Sequence, residues 1–268
     1  MLRDNTYFDA FYAKHVSMEK DVCWQPPSTL VLAGDEVHIW LASLEQPAER
    51  VRQLLATLSP DERERAERFY FEKDRRHFVV ARGILRALLG SYLQMPAPSL
   101  HFTYNPYGKP TLDLPGRSPA LSFNLSHSHE MALYAFAYGR EIGVDIEYMR
   151  PLAFDEYLEL AKHHFSSREY ATLSALPEAE HKQAFFNCWT RKEAYIKARG
   201  KGLSLPLGSF DVSLAPNEPA ELLASREAPY TVTDWSLRVL TAPNEYAAAL
   251  MAEGRAWRVR YWKWGEAL

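Results

Sequence analysis

Alternating apolar and polar positions mark several strands along this chain. Val37-His38-Ile39-Trp40-Leu41 reads as a first strand, and Ala120 to Ser128 and the apolar run Met131 to Tyr138 read as two more. Gly139-Arg140 predicts a turn into Gly143-Val144-Asp145-Ile146-Glu147, a short strand forming a hairpin with the one before it. From Phe210 onward strands return and close on Trp257, Val259 and Tyr261, which alternate with Arg258, Arg260 and Trp262.

Helix signals separate these strands. Ser59-Pro60-Asp61-Glu62 combines a capping serine, a proline suited to the first helical position and a glutamate that completes a capping box. The charged stretch through Arg65, Arg68, Lys73, Arg75 and Arg76 leads into amphipathic Ile84 to Gly90, where Gly90 predicts a stop. Phe165-Ser166-Ser167-Arg168-Glu169 repeats the capping box, and residues 181–199 form a second long helix without Gly or Pro until Gly200. Residues 1–35 are irregular, with Pro26-Pro27 and a Gly34-Asp35 turn.

Strand, capped helix, second helix and strands therefore occur twice. The fold class expected is α+β, with an N-terminal extension over 1–35, one lobe over 36–140 and a similar lobe over 141–268. A cleft between two such lobes is a natural ligand site, and Asp145 begins the second lobe at the seam.

Composition narrows the class. The 268 residues carry a formal charge of -3, so no basic field argues for nucleic acid. No apolar run reaches membrane-spanning length, and Met1-Leu2-Arg3-Asp4-Asn5 does not start a signal peptide. Cys23 and Cys188 are too few for a disulfide framework or a thiolate zinc site. These features predict a soluble cytoplasmic enzyme.

Asp145 and Glu147 share one side of their strand, while Trp189, Glu193 and Lys197 share one face of their helix. Three carboxylates near an ammonium suit a hard divalent cation holding a phosphate-bearing substrate. The plainer alternative is the wet face of a strand and a helix-surface ion pair, and the residues alone leave both open. Phe123-Asn124-Leu125-Ser126-His127-Ser128 lacks the glycines of a nucleophile elbow, which favours a phosphate-binding histidine over a hydrolase. Gly108-Lys109-Pro110 by itself is an ordinary turn, and the basic residues between Arg63 and Arg86 alternate with acids as on any solvated helix.

Taken in order, Gly108-Lys109-Pro110, Phe123 to Ser128, Ile142 to Glu147, Trp189-Thr190-Arg191-Lys192-Glu193-Ala194-Tyr195-Ile196-Lys197 and Gly200 to Leu207 resemble the Sfp-type 4′-phosphopantetheinyl transferases, over roughly residues 37 to 250. The resemblance implies two lobes related by a pseudo-twofold axis, with coenzyme A at their interface. It also implies transfer of the phosphopantetheine arm to a serine of an apo acyl carrier protein or carrier domain, with release of adenosine 3′,5′-bisphosphate. It assigns Asp145, Glu147 and Glu193 to Mg²⁺, Glu193 also as the base for the carrier serine, and Lys197 to the pyrophosphate. Lys109 and Pro110 fall at the adenine pocket, and Asn124, Ser126 and His127 in the coenzyme A-binding strand. Where some relatives place lysines for the 3′-phosphate, Arg65 preserves the charge, with Lys73, Arg75, Arg76 and Arg86 as further candidates. A monomer is expected, since one chain carries both halves of the cleft. Two competing classes are a silent binding module of the same fold and a metal-dependent phosphoesterase that would use water instead of a serine.

Overall fold

The computed structural model describes residues 30–114, 116, 120–152 and 154–265. Most of the expected extension, with Cys23 and Pro26-Pro27, lies outside the described residues. Strand β1 (Glu36–Ser43) is followed by helices α1 (Ala48–Thr57), α2 (Pro60–Glu67) and α3 (Glu72–Leu93), then a short hairpin of β2 (Phe102–Tyr104) and β3 (Pro110–Leu112). Strands β4 (Leu121–Ser128), β5 (Met131–Tyr138) and β6 (Ile142–Tyr148) lead to helices α4 (Phe154–His164), α5 (Ser167–Ala175) and α6 (Glu178–Arg199). The chain ends with β7 (Phe210–Val212), β8 (Leu222–Ser225), β9 (Trp235–Val239), β10 (Tyr246–Glu253) and β11 (Arg258–Lys263).

Two main sheets result, one ordered β11-β1-β5-β4 and the other β6-β10-β9. Each strand's alternation sorts side chains between two cores. Trp40, Tyr134 and Phe136 turn toward α3, whereas Val37, Ile39, Leu133 and Ala135 meet Ile142, Val144, Ile146 and Leu250 between the sheets. Ala247, Ala249 and Met251 face the opposite way and pack with Ala194 and Tyr195 of α6. The layers run helix, sheet, sheet, helix, an α+β architecture.

The repeated helix signals have a common outcome. Glu62 accepts from the Ser59 backbone N–H at 3.0 Å, and Glu169 accepts from that of Ser166 at 2.8 Å. Each of these buried capping carboxylates also meets a buried cation on the following 22-residue helix. Glu62 accepts from Arg86 Nε at 2.6 Å and from Arg82, and Glu169 lies 2.8 Å from Lys192 Nζ. One carboxylate thus caps the start of one helix and ties it to the next in each half of the chain.

Three sequence expectations are corrected. Gly139-Arg140 does not close a hairpin: β5 pairs with β1 and β4, while β6 pairs with β10, so this turn carries the chain between sheets. Gly90 does not stop α3, which runs to Leu93 and ends where Gln94 takes φ 54°. Gly90 is needed because a Cβ there would lie 2.7 Å from the Met95 carbonyl, where the chain folds back. The last strand, counted with the second lobe from sequence order, pairs in parallel with β1 in the first sheet. It is held there by Arg260 Nε, which donates to Glu36 at 3.1 Å, and by Trp262, stacked 5.4 Å from Trp40.

Candidate active site

Strand β4 lies beside β6 where the two sheets meet, and side chains join them. Alternation puts Asn124, Ser126 and Ser128 on one face of β4. Asn124 Oδ1 accepts the Val144 N–H at 2.8 Å, and Ser126 Oγ donates to Asp145 Oδ1 at 2.7 Å. Ser128 Oγ donates to Glu147 Oε2 at 2.7 Å and accepts the Tyr148 N–H at 3.0 Å. The row of short polar groups both bridges the seam and aims two carboxylates. The sequence motif included Ser128 but gave it no role of its own, although the Asn-x-Ser-x-Ser spacing carried the signal.

Helix α6 closes the site from the other side. It lies against β6 because residue 143 is glycine: a Cβ there would fall 2.2 Å from the Ala194 carbonyl oxygen. This approach lets Lys197 Nζ donate to Asp145 Oδ1 at 2.5 Å and to Ser126 Oγ at 2.8 Å. Asp145 and Lys197 are in contact, and Glu147 and Glu193 lie near enough to feel the charges of both. Ile146, between the two acids, is fully buried in the core.

The electrostatics follow from crowding. Burial, the Asp145 charge and Glu193 push the Glu147 carboxyl up to about 7, against opposing effects of Ser128 and Lys197. Burial and Asp145 likewise raise the Glu193 carboxyl, with Lys197 partly compensating. His127 opens into the cleft but is surrounded by protein, and loss of solvent followed by the Lys197 charge lowers its pKa.

Among the described residues, no group of three His, Cys, Asp or Glu side chains stands ready-made as a metal shell. The donor chemistry nevertheless fits a hard cation. Asp145 Oδ2 is buried without a hydrogen-bond partner, and the neighbouring acids are crowded by like charge. An all-oxygen, acidic set of this kind suits Mg²⁺ with water in the remaining positions.

Three cavities surround these groups. One of about 430 Å³ is lined by Arg65, Arg68, Arg82, Tyr104, Pro110 and His127. A second, of about 280 Å³, lies between the Tyr107-to-Pro110 loop and Glu193, Ile196, Lys197 and Gly200. The third, of about 440 Å³, is lined by Leu152, Leu160, Phe185, Phe186 and Trp189, with Ser128, His129 and Glu147 at its side. Along α6 the order is thus aromatic wall at 185–189, Glu193 in the middle, and Lys197 to Gly200 at the far end.

The remaining sequence candidates separate. Arg65, Lys109, Pro110, Asn124 and His127 line the cleft. Arg86 does not, and its assignment to coenzyme A is corrected: it is 1 % exposed and donates to Glu62 and to the carbonyls of Ala97 and Leu100. A guanidinium held by three protein acceptors in the core has no path to a ligand. Lys73 lines none of these cavities and sits 3.9 Å from Glu130. Arg68 and Arg82, unassigned from sequence, supply cationic wall in its place.

Comparison with known proteins shows the family. Residues 44–137 match the family model "4′-phosphopantetheinyl transferase, N-terminal", and residues 141–251 match the "4′-phosphopantetheinyl transferase superfamily". The chain is 43% identical over 240 residues to 4′-phosphopantetheinyl transferase HetI of Nostoc sp., covering 89% of this chain and 97% of that one. It is 36% identical over 167 residues to 4′-phosphopantetheinyl transferase Sfp of Bacillus subtilis, covering 62% and 70% respectively. No helix among the described residues is long and apolar enough to cross a membrane. The chain belongs to the 4′-phosphopantetheinyl transferase family, and is a transferase that moves the phosphopantetheine arm of coenzyme A to a carrier protein.

Proposed function

We propose that the cleft between the two sheets carries out this transfer with Asp145, Glu147 and Glu193 as Mg²⁺ ligands, Glu193 as base and Lys197 as phosphate ligand. The observation that carries the reading is the order of surfaces along α6. At the Lys197-to-Gly200 end lies a cavity that shares Gly108, Pro110 and Leu125 with the one holding Arg65, Arg68 and Arg82 beside Asp61 and Glu62; Glu193 is in the middle, and an apolar cavity is at the other end.

Coenzyme A needs all three. Its phosphorylated adenosine would enter the region of Arg65, Arg68, His127 and Pro110, where cations meet the 3′-phosphate. Its pyrophosphate would lie by Lys197, and its arm would run toward Trp189 and Phe186. Mg²⁺ would neutralise the pyrophosphate oxygens and make the phosphorus a better electrophile.

The carrier serine oxygen attacks the phosphorus bearing the arm, and the bond to adenosine 3′,5′-bisphosphate breaks. The hydroxyl proton passes to Glu193, whose burial beside Asp145 raises its proton affinity. Lys197 meets the charge that accumulates on the leaving phosphate. Ser126 and Ser128 keep two of the carboxylates aimed while this happens. One chain supplies every wall of the site, so a monomer suffices, and the reaction belongs in the cytoplasm.

The test is to incubate the protein with coenzyme A, Mg²⁺ and an apo acyl carrier protein and to weigh the carrier. One added phosphopantetheine arm, lost with EDTA, is the expected result. A carrier left unchanged across fatty-acid and peptide-synthesis types sinks the reading. Glu193→Gln removes charge and base at constant shape and should abolish transfer, whereas full activity would remove Glu193 from the mechanism.

A further inference from the structure

Lys109 lies in the wall of the cavity that Glu193 and Lys197 also line, yet its ammonium is taken up by protein acceptors. Nζ donates to Glu141 Oε2 at 2.6 Å, to the Ala198 carbonyl at 3.0 Å and to the Ile142 carbonyl at 3.4 Å. An ammonium has three N–H donors, and these three acceptors use them all. Lys197 differs, since its two acceptors, Ser126 and Asp145, leave one donor for a ligand.

The acceptors place Lys109 at the end of α6. The last carbonyls of a helix lack partners within it and carry partial negative charge. Here the loop between β2 and β3 supplies them. Lys109 caps Ala198, and Asn105 Nδ2 donates to the Gly200 carbonyl at 2.7 Å. Asn105 Oδ1 in turn accepts the backbone N–H groups of Tyr107 and Lys109, both at 2.9 Å, which rigidifies the loop. Gly200 makes the fit possible twice over. Its φ is +63°, and a Cβ would fall 2.9 Å from Lys109 Cδ and 3.1 Å from Asn105 Nδ2.

We propose that Lys109 is a positioning residue: with Asn105 it latches the nucleotide-facing loop of the first half of the chain onto the C-terminus of the helix that bears Glu193 and Lys197. The loop and the helix then move as one body, so occupancy by the nucleotide is coupled to placement of the reacting groups. This rests on the transferase reading for its kinetic consequences, but not for the latch itself.

Lys109→Met, which keeps the aliphatic stem, is compared with Lys109→Arg, Glu141→Ala and Asn105→Ala. Hydrogen exchange of the ligand-free protein reads the latch directly, and steady-state kinetics with calorimetric binding of adenosine 3′,5′-bisphosphate read its consequence. In Lys109→Met, amides of residues 196–202 should exchange about tenfold faster, KM for coenzyme A should rise and kcat should fall, each by about tenfold. Lys109→Arg should recover part of both effects. Glu141→Ala should move them in the same direction, and combined with Lys109→Met should add nothing, because both variants break one interaction. Unchanged exchange with weakened nucleotide binding in Lys109→Met alone would make Lys109 a direct ligand and overturn the proposal. So would a rise in KM with kcat intact. Should Lys109→Met fail to fold, Asn105→Ala and Glu141→Ala carry the same test. If the wild type transfers nothing, the functional reading fails while the exchange data still decide the latch.

Discussion

Ser126 and Asp145 share a 2.7 Å hydrogen bond across the seam between the two sheets, and Lys197 from α6 reaches both. A serine, a carboxylate and an ammonium from three elements thus meet at one point, and the second oxygen of Asp145 stays buried and unpartnered. Asp145→Asn keeps the shape of this junction and removes its charge. Transfer should fall at least about 100-fold in kcat/KM, with far-ultraviolet circular dichroism unchanged. Retained activity would take Asp145 out of the site.

Ser128 holds Glu147 as Ser126 holds Asp145. Ser128→Ala leaves every proposed ligand in place but frees the Glu147 carboxylate to turn. The Mg²⁺ concentration for half-maximal rate should rise about tenfold, and Mn²⁺ binding followed by electron paramagnetic resonance should weaken in parallel. An unchanged metal dependence would reduce Ser128 to a bridge between strands.

Arg65 and Arg86 separate ligand binding from stability. Arg86→Met leaves Glu62 buried with one partner fewer, and should cost about 3 kcal/mol of stability by denaturant titration. Arg65→Gln should leave the midpoint unchanged while raising KM for coenzyme A about tenfold. The reverse pattern would restore Arg86 as a ligand.

His38 makes stability depend on pH. It is buried between Tyr92 OH, 2.8 Å from Nδ1, and Glu36, 3.2 Å from Nε2, with Trp40 donating to the same tyrosine oxygen at 2.8 Å. A neutral ring fits this chain, with Tyr92 donating to Nδ1 and Nε2–H donating to Glu36. Burial lowers its pKa from 6.5 to about 4, although Glu36 opposes the shift and Arg260 adds to it. Because the folded value is depressed, the unfolded chain takes up the proton first as pH falls. Stability should therefore drop between pH 6.5 and 4, by about 3 kcal/mol from this group. Denaturation midpoints at pH 7, 5.5 and 4.5 should decline in the wild type and less steeply in His38→Gln. Parallel profiles would show that His38 does not drive the decline.

Gly143→Ala tests the approach of β6 to α6. With no room for a Cβ against the Ala194 carbonyl, the strand must withdraw, and both stability and transfer should fall sharply. A soluble variant of normal melting temperature and activity would show that the contact is dispensable.

Much of this protein is written in local pattern. Two capping boxes fixed where α2 and α5 begin, because the groups that satisfy a helix start lie within four residues of it. Alternation placed Asp145 with Glu147 and Ile146 in the core, because strand side chains point to opposite faces in turn. Ordered motifs from Gly108 to Leu207 identified the family and its chemistry. Other features depend on partners far along the chain, and only the tertiary structure decided them. The turn at Gly139 looks like any hairpin, yet β6 takes β10 as its partner, about 100 residues later. The last strand joins β1 at the other end of the chain. Arg65 and Arg86 read alike as helix cations until packing turns one to the cleft and the other to Glu62. Lys109 is a turn lysine in sequence, and its three acceptors come from segments some thirty to ninety residues away. Residue type and spacing determine which chemistry is available to a side chain, whereas the nearest charge, carbonyl or solvent that uses it is set only when distant segments pack together.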